Sequence, residues 1–476
     1  MIGISLVALA ASLVAGIVLG QRSINAPERY WGFLGAGLVL TTALMLGGYT
    51  WYDEAFLIGL VLGNPPRLGA DSKRMPGGFW WGVFVIFCLY SLVEGVRGLI
   101  YFTDIGVGDP IQKLRWVVFF VLILAVGVKG KQLSDSGVRP RGTADSIARA
   151  GLVFSLVYLS VGIVSFFTSG TFGNTQYAQT TVETSGANPL LAIFSSTGYA
   201  TTVYLIVVPA ALICMCSKAT NKASLGASTL VLAFISQVAY NSRTGLLYIV
   251  LGFVIYLFVR AVEGRVRVFE LLLIPLMVAI PFVVTSQGET KLENVITNLA
   301  ETVHLAESTS DLQDIDRQIW FHSGFDALNA SDGIHKLFGY GSRTSGYEVA
   351  PYVTERFFLE AGRLKESEDV SVESITSVAV DSGYVGLLLF GSLTLGALAI
   401  AIRSAREYRW LLVPIPLGVP LILFVANVFD TALIYVALMP FGLIYAMGHR
   451  NEDTEIRTEA ETNRFTVSAS TESAKL

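Results

Sequence analysis

Tyr240-Asn241-Ser242-Arg243-Thr244-Gly245 stands between two long apolar runs, residues 223–240 and 244–262. The polar stretch is far too short to be a soluble domain. It reads as a tight hairpin between two membrane helices, which puts Arg243 at the membrane surface or just inside it. A guanidinium is always charged, and a charge at that depth is retained mostly where it has a partner or a ligand. The hairpin therefore fixes the fold class and supplies the first candidate site residue.

Working outward, apolar runs of similar length recur along all 476 residues. The chain is 53% hydrophobic and 15% charged, with a mean hydropathy of +0.59. A soluble protein of this size carries about a quarter charged residues. A helix of roughly 20 residues crosses the bilayer core of about 30 Å. The sequence predicts an all-α polytopic membrane protein with about twelve spans, near 2–20, 31–50, 79–101, 116–130, 150–168, 189–215, 223–240, 244–262, 268–285, 380–402, 410–427 and 430–447. The first run has no basic leader and no small-residue cleavage pattern, so it reads as a retained helix. Cys88, Cys214 and Cys216 fall within or at the end of apolar runs, which leaves no disulfide framework outside the membrane.

Lys and Arg orient the spans. The connections 63–78, 129–149, 216–222, 260–267 and 403–409 hold 16 basic residues, against Arg22, Arg29, Lys113, Arg115 and Arg243 in the opposite ones. The first set is expected in the cytoplasm together with both chain termini. Ala55–Gly63 is apolar but short for a span. A helix there would reverse the first connection, moving Arg22 and Arg29 inside and the N-terminus outside. Four regions follow: membrane spans over 1–285, a large external loop over 286–378, membrane spans over 379–447 and a polar cytoplasmic tail over 448–476.

The external loop holds His304, His322 and His335 and has 16 acidic residues against 7 basic. Loops this long usually carry function. Leu312–Leu328 shows helical periodicity and is expected to lie along the membrane surface, and Phe338-Gly339-Tyr340-Gly341 reads as a turn. Three charged residues then share the external face: Arg243 in the hairpin, Arg317 in the loop and Glu373 just before the tenth span. Arginine binds phosphate oxygens with two parallel hydrogen bonds, and a nearby carboxylate can accept a proton from an attacking hydroxyl. Each has a plainer reading, as a snorkelling charge, an exposed helix pair or a solvated acid. Glu94 and Arg97 are expected to form an ion pair three residues apart.

The ordered set resembles the O-antigen polymerase and ligase family of bacterial envelope glycosyltransferases. The residues that carry the resemblance are Ser242-Arg243, Arg317 with Trp320, Gly339-Tyr340-Gly341, and Glu373-Ser374 ahead of Gly383-Tyr384-Val385-Gly386. Ligases of that family typically carry His-Asn where this chain has Val372-Glu373, and polymerases often have Glu-Ser. The resemblance implies an inverting polysaccharide polymerase in the bacterial cytoplasmic membrane, with its site facing outward. Its donor and acceptor would be polyprenyl diphosphate-linked oligosaccharides, with no cofactor, no metal and no nucleic acid, and with room for a chain-length regulator protein as partner. Glu373 would be the base. Arg243 and Arg317 would hold the diphosphate. Trp320, Gly339, Gly341, Arg343 and Asp430 would line the substrate. A ligase acting on a finished glycan and a flippase for lipid-linked oligosaccharides remain the alternatives. Charge gathered on one face beside a long loop suits an enzyme better than a flippase.

Overall fold

The computed structural model describes residues 2–30, 32–34, 52–66, 78–104, 140–169, 197–239, 243–284, 312–341, 344–361, 374–403 and 406–416, with shorter pieces between 118 and 133. Every element among them is helical. The helices are α1 (Ile2–Asn25), α2 (Tyr52–Gly63), α3 (Gly78–Asp104), α4 (Pro140–Ser169), α5 (Thr197–Met215), α6 (Thr220–Ala239), α7 (Arg243–Val262), α8 (Val268–Val284), α9 (Leu312–Ala330), α10 (Gly333–Phe338), α11 (Ser345–Ala361), α12 (Ser374–Arg403) and α13 (Arg406–Leu412). The expected all-helical class is what the chain adopts.

Two described helices have the length and hydropathy needed to cross a bilayer, Trp80–Tyr101 within α3 and Ile375–Arg403 within α12. Apolar helices of 10–17 residues cover Glu54–Gly63, Val203–Met215 and Tyr248–Val262. The membrane character holds, and a count of twelve goes beyond what these helices establish. The expected spans over 31–50, 410–427 and 430–447, and the tail, lie wholly or largely outside the described residues.

Large apolar side chains are exposed along these helices, as with Leu89, Val93 and Ile100 on α3 and Leu388 and Leu395 on α12. Such faces suit a lipid surround and would aggregate in water. Inside, α4 to α7 pack antiparallel in sequence. Ser155 on α4 hydrogen-bonds Tyr204 on α5 at 3.1 Å, the Thr229 hydroxyl on α6 donates to Ala148 O at 3.1 Å, and the Tyr248 hydroxyl on α7 donates to Leu205 O at 3.1 Å. The turn between α7 and α8 is locked by buried Glu270. It accepts from the Tyr256 hydroxyl at 2.7 Å and from the Arg267 backbone N–H at 3.1 Å, and it faces Arg260 at 3.6 Å. Cys88, Cys214 and Cys216 are free thiols.

The first two helices correct the expected topology. Gly16 and Gly20 on α1 press against Gly59 and Gly63 on α2; a methyl group at Gly16 would lie 2.2 Å from the Phe56 carbonyl oxygen, and one at Gly59 would lie 2.2 Å from that of Leu13. Small residues four apart let two helix backbones meet in this way. Gly16 meets Gly59 and Gly20 meets Gly63, so the helices run parallel. The ends of both helices then sit together, with the Asn64 amide donating to Ser23 Oγ at 2.8 Å. The same end receives Lys129 Nζ on Pro65 O at 3.1 Å and Ser146 Oγ on Arg29 O at 3.5 Å. Arg29 thus stands beside connections 63–78 and 129–149, rather than across the bundle from them, and Arg22 is one turn from the end of α1. The N-terminus lies at the opposite end. The sequence alone favoured the reverse because nine apolar residues are short for a span. The glycine contact, which turns those residues into a second helix parallel to the first, is invisible to hydropathy.

Valine at Gly16 or Gly59 would force the two backbones apart, an overpacking worth about 1–3 kcal/mol. Both variants should melt at lower temperature than the parent in detergent, whereas Gly82→Ala, with nothing within 4 Å of the added carbon, should melt as the parent does.

Candidate functional site

The site is built around a break in α12. Gly383 adopts φ 63° and ψ −167° inside an otherwise helical run. That conformation is open to glycine and costly for other residues. It interrupts the helical ladder, so the carbonyls of Val380, Asp381 and Ser382 lose their usual partners one turn on. Each is met from outside. Tyr340 N–H donates to Val380 O at 3.0 Å and Gly341 N–H to Asp381 O at 2.9 Å, and the Tyr90 hydroxyl donates to Ser382 O at 2.6 Å. The expected Gly-Tyr-Gly turn therefore exists, and its role is to complete a kinked helix.

Helix α3 clamps the other side of the turn. Arg97 donates to Phe338 O at 2.6 Å and to Gly339 O at 2.5 Å, while its Nη1 pairs with Glu94 at 2.9 Å. The expected Glu94–Arg97 pair forms, and the guanidinium gives two further N–H groups to the turn. Gly339 and Gly341 have φ of 70° and 114°. A methyl group at Gly341 would lie 2.3 Å from Gly98 N, and one at Gly339 would lie 2.2 Å from Asp381 O. These glycines, expected to line the substrate, stand where three backbones come into close contact.

Asp381 joins the clamp to α11. Its Oδ1 accepts the Ser345 N–H at 2.8 Å, at the start of α11, where a carboxylate also meets the positive end of the helix dipole. Thr344 Oγ1 and Ser377 Oγ add contacts of 3.4 Å each, and the Ser345 and Ser377 hydroxyls meet at 2.8 Å. Sequence reading missed this role. The available signal was an aspartate kept inside an apolar run, directly ahead of Ser382-Gly383.

The α9–α11 segment forms a cap with its own small core of Ile319, Ala327, Val349, Ala350, Val353 and Val380. The helix expected over 312–328 is present as α9, although it packs along α12 instead of lying flat. A methyl group at Gly324 would lie 1.5 Å from Thr376 Cγ2, and the Tyr384 hydroxyl reaches Asn329 Oδ1 at 3.4 Å. The two helices are thus parallel, and at Gly324 there is no room for a side chain between them. At the far end of α9, Asp332 caps α10 by accepting from the N–H groups of Ile334 and His335 at 2.9 Å. The His335 backbone N–H, then its ring, hold the Asp332 carboxyl below its usual range. The His335 ring stacks on Tyr340 at 4.3 Å.

Against this frame the expected site residues fall as follows. Arg317 and Trp320 are on α9, about two turns and one turn before Gly324. Arg243 is the first residue of α7, in the α6–α7 hairpin. Buried Gln237 lies across that hairpin, so close that a methyl group at Gly245 would overlap its amide. The side chains of Arg243, Arg317 and Trp320, and the whole of Arg343, Glu373 and Asp430, lie outside the described residues. His322 is exposed, edge-on to Phe321 with ring centroids 5.6 Å apart. Among the described residues no three His, Cys, Asp or Glu side chains gather as a metal site requires. The chain matches no protein-family model and no curated protein.

Alanine at Gly341 should cost about 1–3 kcal/mol of stability through overpacking and an unfavourable φ. Asp381→Asn should also lower the melting temperature, because a hydrogen bond to a charged group is worth about 1.5–3 kcal/mol. Thermal unfolding in detergent measures both. Asp332→Asn, at an exposed cap, should shift the midpoint far less.

Proposed function

We propose that the chain is a membrane polysaccharide polymerase, which joins polyprenyl diphosphate-linked oligosaccharide repeat units on the outer face of a bacterial cytoplasmic membrane. With Arg22 and Arg29 moved to it, the basic end of the bundle faces Lys113, Arg115 and Arg243 alone in the short connections of the other. The basic end belongs in the cytoplasm. Arg243, the α9–α11 cap and the N-terminus then face outward, and the C-terminal tail faces inward. An extra span over 52–63 makes the expected twelve into thirteen, consistent with termini on opposite sides.

The observation that carries the reading is the seam at Gly324 and Thr376. Thr376 lies three residues past Glu373, and Gly324 lies seven past Arg317. Helices α9 and α12 run parallel there; Arg317 lies on α9, and Glu373 immediately precedes α12 in sequence. The clamp of Tyr90, Arg97 and the Gly-Tyr-Gly turn fixes that register.

In the proposed reaction Glu373 takes the proton of an acceptor sugar hydroxyl. The oxygen attacks the anomeric carbon of the donor from the face opposite the diphosphate. A carbon–oxygen bond forms as the bond to the diphosphate breaks, so the configuration inverts. The departing diphosphate carries the growing negative charge, which Arg243 and Arg317 stabilise in an environment poor in water. These two cations meet the charge that a metal would otherwise neutralise.

Arg243→Ala and Arg317→Ala should each abolish polymer in cells while the protein still inserts, and lysine should restore little, since it lacks the planar fork. Glu373→Gln should lower turnover by about 10²–10⁴, with Glu366→Gln and Glu368→Gln close to the parent. Full polymer from any of the first three variants removes that residue from the site. Topology is checked by membrane-impermeant thiol labelling of single cysteines at exposed positions. Glu355→Cys should react from outside, while Asn25→Cys and Asn221→Cys should react only after the membrane is opened. Labelling of Asn25→Cys from outside would restore the twelve-span arrangement.

A further inference from the structure

The Gly-Tyr-Gly turn sits well below the ends of the helices that hold it. Ser382 is eight residues inside α12 from Ser374, about 12 Å at 1.5 Å per residue, and Arg97 is seven residues before Asp104 on α3, about 10 Å. These are the two described helices able to cross a bilayer. Helix α9 descends beside α12, α10 and the turn form the lowest part, and α11 departs from the level of Asp381.

Irregular backbone at membrane depth is tolerated only where protein satisfies its polar groups. That condition is met here on both sides of the turn: the carbonyls of Phe338 and Gly339 take Arg97, and the N–H groups of Tyr340 and Gly341 take α12. The side chains point the same way. Ile334, Leu337 and Phe338, at helical spacing on α10, are 68%, 50% and 42% exposed, whereas His335 and Lys336 occupy the other side of the helical wheel. The two spans have outward apolar residues of their own, Leu89, Val93 and Val96 on α3 and Leu388 on α12, and Phe338 is joined to α3 through Tyr90 and Arg97, at 3.2 and 2.6 Å from its carbonyl oxygen.

We propose that Gly333–Gly341 is a re-entrant element lodged in the outer leaflet, with Ile334, Leu337 and Phe338 in contact with lipid acyl chains. The occupant is bilayer lipid, because the patch is carried by an element bonded directly to α3 and α12, the two described helices able to cross a bilayer, whose own outward side chains are apolar. The inference does not depend on the polymerase reading. Where both hold, a lipid-anchored substrate reaches the cap from within the bilayer plane, past α10.

The test places a nitroxide at Leu337→Cys in a full-length chain with Cys88, Cys214 and Cys216 changed to alanine, in phosphatidylcholine–phosphatidylglycerol nanodiscs. Glu355→Cys, exposed on α11, is the aqueous reference. The ratio of collision with oxygen to collision with a water-soluble nickel chelate should be several-fold higher at 337 than at 355. Equal ratios overturn the proposal, and so does a label shielded from both reagents, which would mean a second copy or another protein covers α10. The unaltered protein gives an independent reading. A membrane-confined carbene reagent should label the peptide that contains 333–341, and absence of label there overturns the proposal even if the cysteine variants fail to fold.

Discussion

One unmet set of carbonyls organises the upper half of this molecule. Gly383 breaks the ladder of α12, and an open backbone carbonyl away from water costs several kcal/mol. The Gly-Tyr-Gly turn and Tyr90 supply the missing donors. In doing so they pin the cap to the kink, and Arg97 closes the far side of the turn. Arginine suits that position because its planar fork reaches two successive carbonyls while still pairing with Glu94. The start of α11 is fixed by the same kink through Asp381. The line of α9 follows from its packing against the helix so fixed. Two residues of the proposed site belong to the segments that this junction joins: Arg317 on α9, and Glu373, which immediately precedes α12 in sequence.

A rigid junction is what the proposed chemistry requires. Inverting transfer asks for a base on one face of the donor sugar and cations on the other, and misplacement by about 1 Å can cost a factor of 10² in rate. Charged groups carried on a loose external loop would not hold such an arrangement. A cap with its own apolar core, fastened to α3 and α12 by hydrogen bonds to the backbone of its turn, behaves as part of the bundle.

Much of this was readable in the sequence, and the parts that were not share a cause. The helical class, α9, the turn at Gly339–Gly341 and the Glu94–Arg97 pair follow from local pattern: periodicity, glycine spacing and residues three apart. What pattern could not supply was partnership between distant segments. Gly16, Gly20, Gly59 and Gly63 read as ordinary glycines in apolar runs until α1 and α2 meet. Gly383 belonged to a Gly-x-x-Gly motif with no visible duty, because the duty lies 44 residues away at Gly339. Asp381 stood in the sequence as an acid within an apolar run, and its part in starting α11 shows only once Ser345 is brought to it. The re-entrant path of α10 was hidden for a similar reason: Gly333–Phe338 is too short and too mixed to register as a membrane segment, and its depth is set by what it touches.

The central claim is that the chain joins lipid-linked repeat units. The most direct test is the purified protein in nanodiscs, given a polyprenyl diphosphate-linked repeat unit as both donor and acceptor, with products resolved by size. The account predicts a ladder of products differing by one repeat unit, with free polyprenyl diphosphate released at each step. A single transfer to a different acceptor, or movement of intact substrate across the bilayer without any new glycosidic bond, would contradict it.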